Sequence, residues 1–205
     1  MTTAEKTIIL AYTGASGMPY GIRLLEILLA EGVRVYLLYS QVAQIVAQQE
    51  MKLALPSRAK EAEEFFCAHF NATKGQLRVF GREEWFAPIA SGSNPADSMV
   101  ICPCTMGTVA DIASGLSQKL IGRAADVMLK ENRQLILVPR EMPFSITHLE
   151  NMLRLARNGV VIMPANPGFY HHPETVQQMI DFVVARILDH LGIKHRLIRR
   201  WGEEN

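Results

Sequence analysis

The stretch that decides the fold lies near the N-terminus and reads Thr7-Ile8-Ile9-Leu10-Ala11-Tyr12-Thr13-Gly14-Ala15-Ser16-Gly17. Thr7–Tyr12 is a short apolar run that predicts a buried strand, and Thr13–Gly17 leads from it directly into a helical pattern. Open α/β sheets bind phosphate at such a turn, through backbone N–H groups at the start of the helix. However, the turn lacks the G-x-G-x-x-G pattern, and a tight turn from strand to helix uses the same residues. The motif alone leaves nucleotide binding and a structural turn equally open.

The rest of the chain repeats this alternation of short apolar runs and helical patterns. Four more strands are predicted at Val33–Tyr39, Ser98–Cys102, Leu135–Pro139 and Val160–Met163. Helices are predicted at Tyr20–Glu31, Gln41–Met51, Lys60–Phe70, Thr108–Ser114, Gly122–Glu131, Thr147–Asn158 and Pro173–Leu191. Residues 77–97, which Gly and Pro interrupt, predict a long loop with room for one short strand. Together these elements predict a mostly parallel sheet with helices on both faces.

Composition restricts the class of protein. The 205 residues are 49% apolar, which predicts a single domain spanning residues 1–205. With 21 Lys and Arg against 20 Asp and Glu, the net charge is +1, so we expect no nucleic-acid partner. No apolar run approaches the roughly 20 residues of a membrane-spanning helix, and the N-terminus lacks the pattern of a secretion signal. The three cysteines are too few for a disulfide framework, which predicts a cytoplasmic location.

The cysteines and histidines do not suggest a metal site. Cys102 and Cys104 form a C-x-C pair without a second pair at zinc spacing, and the six histidines form no recognisable ligand set. We therefore expect no bound metal, and we interpret Cys102 and Cys104 as buried structural thiols.

Hydroxyl groups recur where predicted strands end. Thr105 and Thr108 flank Met106 and Gly107 after the third predicted strand, and this composition suits the polar edge of a ligand. Ser40 ends the second predicted strand, although a serine there caps the next helix just as readily. Ser91 and Ser93 flank Gly92, which is equally well explained as a flexible surface turn. These hydroxyls are candidate ligand contacts with structural alternatives.

Cationic residues give a more informative signal, because a phosphorylated ligand requires them. Arg123, Lys130, Arg140 and Arg186 all fall near the ends of predicted elements. Lys130 could equally be a solvated helix charge. Arg186 lies in an apolar helix segment, where an unpaired guanidinium would be costly, so we expect it to have a partner, such as an anion.

Two further positions are ambiguous. Arg140 and Glu141 are adjacent and could form a buried pair that only braces their loop. Tyr170 could donate its phenol hydroxyl to a phosphate oxygen or could serve only in packing.

Taken in order, the motifs resemble those of the flavin prenyltransferase family, also known as the UbiX or phenylacrylate decarboxylase family. The resemblance rests on residues 13–17, 90–93, 100–104, 123–127, 129–131, 138–141 and 167–170, and it spans nearly the whole chain. It implies a three-layer Rossmann-like or flavodoxin-like subunit that assembles into a homododecamer built from trimers, with FMN between subunits. The sequence departs from the family pattern at Gln118-Lys119, where relatives tend to have Asn or Asp.

The resemblance also implies roles for particular residues. It assigns to FMN the residues Gly14, Ala15, Ser16, Ser40, Thr105, Met106, Gly107, Thr108 and Arg140. It places around dimethylallyl monophosphate the residues Ser91, Ser93, Arg123, Lys130, Glu141, Tyr170 and Arg186. Glu50 with Ser16 would remove a proton from the flavin, Glu141 would act with the released phosphate, and Trp201, in a C-terminal tail of residues 193–205, would cover the prenyl group. We expect the tail to dock at the site or on a neighbouring subunit.

The implied reaction joins a dimethylallyl group to N5 and C6 of reduced FMN without a metal. The prenylated FMN would pass to a separate UbiD-like decarboxylase, with ubiquinone biosynthesis as the expected context. One alternative is a flavin-dependent decarboxylase of cysteinyl peptides or pantothenoylcysteine, but such enzymes use a histidine on an early helix, and residues 20–51 contain none. A second alternative is a non-catalytic flavin-binding regulatory subunit, which would not need a second anion site.

Overall fold

A computed structural model describes residues 6–199. The strands are β1 (Thr7–Tyr12), β2 (Arg34–Tyr39), β3 (Leu77–Val79), β4 (Ser98–Cys104), β5 (Gln134–Pro139) and β6 (Val161–Ile162). The helices are α1 (Met18–Ala30), α2 (Gln41–Met51), α3 (Ala59–Phe70), α4 (Met106–Ala113), α5 (Leu120–Lys130), α6 (Ile146–Arg157) and α7 (Val176–Leu191), with a 3₁₀ turn at Pro88–Ala90.

The six strands form one parallel sheet in the order β3-β2-β1-β4-β5-β6. Chain connections leave β1 in one direction and β4 in the other, so the strand order reverses between these two strands. In open α/β sheets, ligands bind beyond the carboxyl ends of the strands at such a switch point. The predicted three-layer α/β class is confirmed, and the topology directs attention to the loops after β1 and β4.

Alternation along the strands divides the core into two layers. Ile8 and Leu10 of β1 pack on one face of the sheet with α1, α2, α3 and α7. Ile9 and Ala11 point to the opposite face, which α4, α5 and α6 cover. Because successive side chains of a strand point to opposite faces, one buried strand supplies both layers.

Gly21 brings α1 close to the sheet. A Cβ atom at this position would lie 2.4 Å from the Cys102 carbonyl oxygen and 2.8 Å from the ring of Tyr12. The Tyr12 hydroxyl donates to the Gly21 carbonyl at 3.1 Å. Only glycine fits this contact, so it fixes the position of α1 beside the ends of β1 and β4.

Several element boundaries differ from the sequence prediction for identifiable reasons. β4 continues to Cys104 rather than Cys102, because Pro103 keeps its place in the strand and its carbonyl accepts a bond from the Thr13 N–H. α7 begins at Val176 rather than Pro173, because the Thr175 side chain caps it. The predicted long loop contains the short strand β3.

The described part of the C-terminal tail follows α7. Ile193, Leu197 and Ile198 pack against the core layer that contains α1 and α7. Trp201 lies outside the described residues. None of the helices within residues 6–199 is both long and apolar enough to cross a membrane.

Candidate functional site

The loops after β1 and β4 are joined through one threonine. The Thr13 hydroxyl donates to the Pro103 carbonyl at 3.0 Å and accepts from the Thr105 N–H at 2.8 Å. Thr13 is 3% exposed, so both bonds lie in the protein interior. The two loops on either side of the switch point are therefore held as one unit.

The helices that start at this edge carry hydroxyl caps. The Ser40 side chain accepts from the Ala43 N–H at 3.1 Å at the start of α2, and the Thr105 side chain accepts from the Thr108 N–H at 3.1 Å at the start of α4. The capping alternative for Ser40 is thus observed. The first backbone N–H groups of a helix have no partner within the helix. Those at the start of α4, including the N–H of exposed Gly107, can therefore donate to a ligand.

The loop after β1 also packs directly on α2. A Cβ atom at Gly14 would lie 2.3 Å from Cγ1 of Val42, so the backbone of this loop approaches the first turn of α2 more closely than another residue would permit. The loops after β1, β2 and β4 therefore converge.

Glu50 binds the N-terminus of α1. Its carboxylate accepts from the Gly17 N–H at 3.0 and 3.1 Å and from the Met18 N–H at 2.9 Å. A carboxylate at a helix N-terminus is stabilised by the free amides and by the helix dipole. Glu50 therefore occupies the anion position of α1 and lies beside Ser16.

Arg140 closes the same edge from β5. Its Nε atom donates to the Ser16 carbonyl at 3.3 Å, and its backbone N–H lies 3.4 Å from the Cys104 carbonyl. Arg140 and Glu141 are both exposed, so the buried Arg–Glu pair considered from the sequence is wrong. The reason is that the charges follow the last buried residue of β5, Pro139, and project beyond the sheet.

The structure thus brings together the predicted flavin contacts, here named the strand-end cluster: Gly14, Ala15, Ser16, Ser40, Thr105, Met106, Gly107, Thr108 and Arg140. Ala15 and Met106 each expose only 6% of their surface, so they contribute mainly to the packing beneath the cluster.

A cavity of about 190 Å³ opens beside the strand-end cluster. Its lining residues are Thr13, Ser40, Arg82, Thr108, Asp111, Ile112, Leu116, Gln118, Lys119, Ile121 and Gly122. Hydroxyls from the loops after β1, β2 and β4 line one side, and the start of α5 lines another. Arg82 and Lys119 were not among the residues predicted from sequence, because each lies in an irregular segment without a motif.

A second set of predicted residues gathers around α5. The Arg123 Nε atom donates to the Ala90 carbonyl at 2.9 Å, and its Nη1 atom pairs with Asp126 at 2.7 Å. Lys130 pairs with Glu131, and both side chains lie against Gly92. The Ser91 and Ser93 hydroxyls lie 3.0 Å apart in the same loop. We name Ser91, Ser93, Arg123 and Lys130 the α5 cluster.

Tyr170 and Arg186 lie around α7 and are named the α7 cluster. The Tyr170 ring packs edge-on against Phe182, with centroids 5.6 Å apart, and Arg186 lies one turn further along α7. Arg186 is 50% exposed and pairs with Asp189 at 2.8 Å. The predicted partner of Arg186 is therefore present as a carboxylate on the same helix. The side chain points outward between buried Ala185 and Ile187.

The α5 and α7 clusters lie on different layers. The core residues of α5 belong to the layer with α4 and α6, whereas those of α7 belong to the layer with α1. The sheet therefore separates Lys130 from Arg186 in a single chain.

The cysteines of the strand-end region are inert core residues. Cys102 and Cys104 are fully buried and unpaired, and burial raises the pKa of both thiols well above the ordinary value. This confirms their interpretation as structural thiols. In the described part of the chain, no group of three or more His, Cys, Asp or Glu residues is placed to hold a metal ion.

Sequence reasoning missed two structural roles at this site. The sequence indicated Thr13 only as part of the loop after the first strand. Its hydroxyl accepts from the N–H of Thr105, which is 92 residues away along the chain, and local patterns do not report such a contact. Gly21 lies in the first turn of α1, four residues after the N-cap residue Gly17, and a glycine inside an otherwise apolar helical pattern was the available signal.

The doubly wound fold and the strand-end cluster define a flavoprotein. A sequence model of the family described as Flavoprotein matches residues 1–188. The chain is 52% identical over 203 residues to the flavin prenyltransferase UbiX of Pseudomonas aeruginosa, which covers 99% of this chain and 97% of that protein. The chain therefore belongs to the flavin prenyltransferase family.

Solved structures agree with this assignment. One is AnUbiX (PadA1) in complex with FMN and dimethylallyl pyrophosphate, which is 35% identical with a TM-score of 0.86 over 98% of this chain and 100% of that chain. Another is a dodecameric FMN-dependent UbiX-like decarboxylase from Escherichia coli O157:H7, which is 41% identical with a TM-score of 0.83 over 96% of this chain and 100% of that chain.

Proposed function

We propose that this protein transfers a dimethylallyl group from dimethylallyl monophosphate to reduced FMN and releases prenylated FMN as its product. The observation that carries the proposal is the strand-end cluster, in which the Ser16 carbonyl accepts from Arg140 and the next residue, Gly17, donates its N–H to the Glu50 carboxylate. This arrangement places a carboxylate, a hydroxyl and a cation at one edge of a flavoprotein fold. It suits a reaction in which a bound flavin must lose protons.

The residues present fit FMN. Hydroxyls of Ser40 and Thr108 line the cavity with buried Thr13, and they suit the polar ribityl chain. The exposed backbone of Ser16 and the Arg140 guanidinium lie at the other end of the cluster, where the ring would contact them. The flavin, when bound in reduced form, supplies the electron-rich centre that accepts the prenyl group.

The residues of the chain would assist the departure of phosphate. As the allylic C–O bond breaks, the phosphate leaves with the bonding electron pair, and its oxygens gain negative charge. Lys130, Arg123, Arg186 and Tyr170 can donate to those oxygens, and donors that are already in position lower the barrier without reorganisation. Glu141, which is exposed beyond β5, would accept a proton together with the released phosphate.

Glu50 and Ser16 would remove the proton that the flavin loses. Glu50 is held by the Gly17 and Met18 amides, which follow Ser16 along the chain, and the Ser16 hydroxyl would relay the proton to this carboxylate. Trp201, outside the described residues, is proposed to cover the prenyl chain, because its electron-rich ring face would stabilise a cationic allyl fragment.

A complete site would require neighbouring copies of the chain. The sheet separates the α5 cluster from the α7 cluster, yet both are needed to surround one phosphate. We therefore propose that one copy supplies the α5 cluster and another the α7 cluster within a homododecamer. The dodecameric state of the Escherichia coli relative supports this assembly.

The product is proposed to serve a separate UbiD-like decarboxylase, with ubiquinone biosynthesis as the expected pathway. A cytoplasmic location remains a proposal that rests on the unpaired state of Cys67, Cys102 and Cys104. The single-domain organisation over residues 1–205, with the docked tail at 193–205, is likewise proposed.

The function is tested by anaerobic incubation of the purified protein with reduced FMN and dimethylallyl monophosphate. We expect mass spectrometry to detect flavin that is heavier by one C5 unit. A parallel reaction with the pyrophosphate establishes which leaving group is used. Recovery of unmodified FMN alone from both reactions, with protein that binds FMN, would contradict the proposal.

A further inference from the structure

Two cations lie at the mouth of the cavity beside the strand-end cluster. Arg82 and Lys119 both line this cavity, and both also line an adjoining cavity with Gln41 and Ser57. They come from segments far apart in sequence, the loop after β3 and the residue before α5. Their convergence on one opening is a product of the tertiary structure.

Backbone contacts fix this convergence. The Leu120 N–H donates to the Arg82 carbonyl at 3.0 Å, which ties the loop after β3 to the start of α5. The Arg82 Nη1 atom lies 3.3 Å from the Gln41 Oε1 atom, at the first residue of α2. The guanidinium is therefore beside Ser40, whose hydroxyl lines the cavity.

Neither cation is neutralised by an ion pair within residues 6–199. The carboxylates nearby are Asp111, which lines the same cavity, and Glu83, which lines the adjoining one. The cavity itself thus carries two cations and one carboxylate. This excess of positive charge favours an anion.

The usual anion position of this fold is not available. In doubly wound sheets, the N-terminus of the first helix binds phosphate, but here the Glu50 carboxylate already accepts from the Gly17 and Met18 amides. A second anion there would be repelled. This favours a phosphate position on the other side of Thr13, towards the cavity that Arg82 and Lys119 line.

The departure of Gln118-Lys119 from the family pattern falls at this same cavity, because both residues line it. Where relatives tend to have Asn or Asp, this chain carries Gln118 and the cation Lys119. The change is thus placed where it would alter ligand binding rather than only a local turn.

We propose that Arg82 and Lys119 hold the phosphate monoester of FMN. This inference rests on the proposed function, and it sets the direction of the flavin: the phosphate lies at the α2 and α5 end of the cavity, and the ring lies towards Ser16 and Glu50. Because the monoester is the only anionic group of FMN in this cavity, the two cations would distinguish FMN from riboflavin.

The test compares FMN with riboflavin, which lacks the phosphate. Flavin-free wild-type protein and the Arg82→Gln/Lys119→Gln variant are titrated with each flavin by fluorescence. We expect the variant to bind FMN about tenfold or more weakly, because two charge-assisted contacts are lost, and to bind riboflavin within about twofold of wild type. Raising the salt concentration should weaken FMN binding more in the wild type than in the variant.

The matched control is Lys74→Gln/Arg154→Gln, which removes the same charges at exposed positions that do not line the cavity. It should leave both affinities unchanged, and thermal melts of all three proteins establish that they fold. Equal weakening of both flavins, or no change in FMN binding, would overturn the inference. So would a raised KM for dimethylallyl monophosphate with an unchanged FMN-to-riboflavin ratio, since the cations would then serve the prenyl phosphate.

The inference and the proposed function can fail separately. The affinity ratio is an equilibrium measurement that requires no prenyl transfer, whereas the proposed function is tested by the flavin product of the wild type.

Discussion

The strand-end cluster and the two cationic clusters are built in different ways. Thr13 joins the loops after β1 and β4 inside one chain, and Arg140 reaches across from β5. By contrast, Lys130 and Arg186 are about half exposed, and each pairs with an acid within three residues of it along the chain. The sheet lies between them. One region is held together by contacts within a chain, and the other consists of separate surfaces that only neighbouring copies could combine.

The largest expected effect tests whether the cationic clusters combine between copies. Lys130→Ala and Arg186→Ala should each lower kcat/KM about 10²- to 10³-fold, because each removes a donor to the developing phosphate charge. FMN binding should stay intact in both, because the strand-end cluster is untouched. The measurement is the rate of prenylated flavin formation, with Lys74→Ala as a control for loss of an exposed lysine.

Mixing the two inactive variants sharpens the comparison. If one copy supplies Lys130 and another supplies Arg186, random reassembly should restore about a quarter of the wild-type rate, since each donor is intact in half of the copies. Mixtures that reassemble, as shown by mass spectrometry of the oligomer, yet remain inactive would place both residues in sites formed by one chain.

An intermediate effect is expected where the strand-end cluster is joined. Thr13→Val keeps the side-chain shape but leaves the Thr105 N–H without its partner. It also removes one of the two bonds to the Pro103 carbonyl, which still accepts from the Thr13 N–H. We expect the free energy of unfolding to fall by about 1–3 kcal/mol, with weaker FMN binding. Urea titration measures the first quantity and flavin fluorescence the second.

Thr147→Val is the control for Thr13→Val, because Thr147 is exposed on α6. It should change neither stability nor FMN affinity. If both variants behave alike, the buried bridge does not hold the two loops together.

The smallest effect concerns alkaline pH. Burial raises the pKa of Tyr39, at the end of β2, from 10.0 to about 12, although the Arg82 charge acts in the opposite direction. Because the pKa of Tyr39 is higher in the folded than in the unfolded state, Tyr39 contributes fully to the free energy of unfolding below pH 10. This contribution is lost as pH rises towards 12. Melting temperature should therefore fall over this range, and less steeply in Tyr39→Phe.

Tyr12 also has a raised pKa because of its burial, so part of the alkaline loss should persist in Tyr39→Phe. A melting profile of Tyr39→Phe that is identical to that of the wild type would show that Tyr39 ionisation does not contribute. The cationic clusters, which lie outside the core, should not alter this profile.

Most of the scaffold was predictable from local pattern. Thr7–Tyr12 formed the buried strand that its apolar run indicated, and Ser40 capped the next helix as one of its two interpretations required. The predicted start of α7 was wrong because Thr175 caps this helix, and the predicted end of β4 was wrong because Pro103 continues the strand. Such contacts depend on a few atoms, and apolar periodicity does not report them.

The candidate site was predictable only in part. The residues of the strand-end cluster were assigned to the flavin by the family resemblance, and their common location agrees with parallel strands bringing their carboxyl ends to one edge. The convergence of Arg82 and Lys119 was not predicted, since neither residue belongs to a motif. The expectation that Arg186 has a partner was met by Asp189, although the apolar composition of its helix segment did not indicate that the side chain itself faces outward.

The sequence by itself determined the α/β class, the strand-end positions of the polar loops and the family motifs, because these depend on local periodicity and residue order. Only the tertiary structure decided that Glu50 fills the anion position of α1, that Thr13 joins two distant loops and that the sheet separates Lys130 from Arg186. Those outcomes depend on which elements pack together and on the direction of each side chain, and local sequence patterns do not specify either.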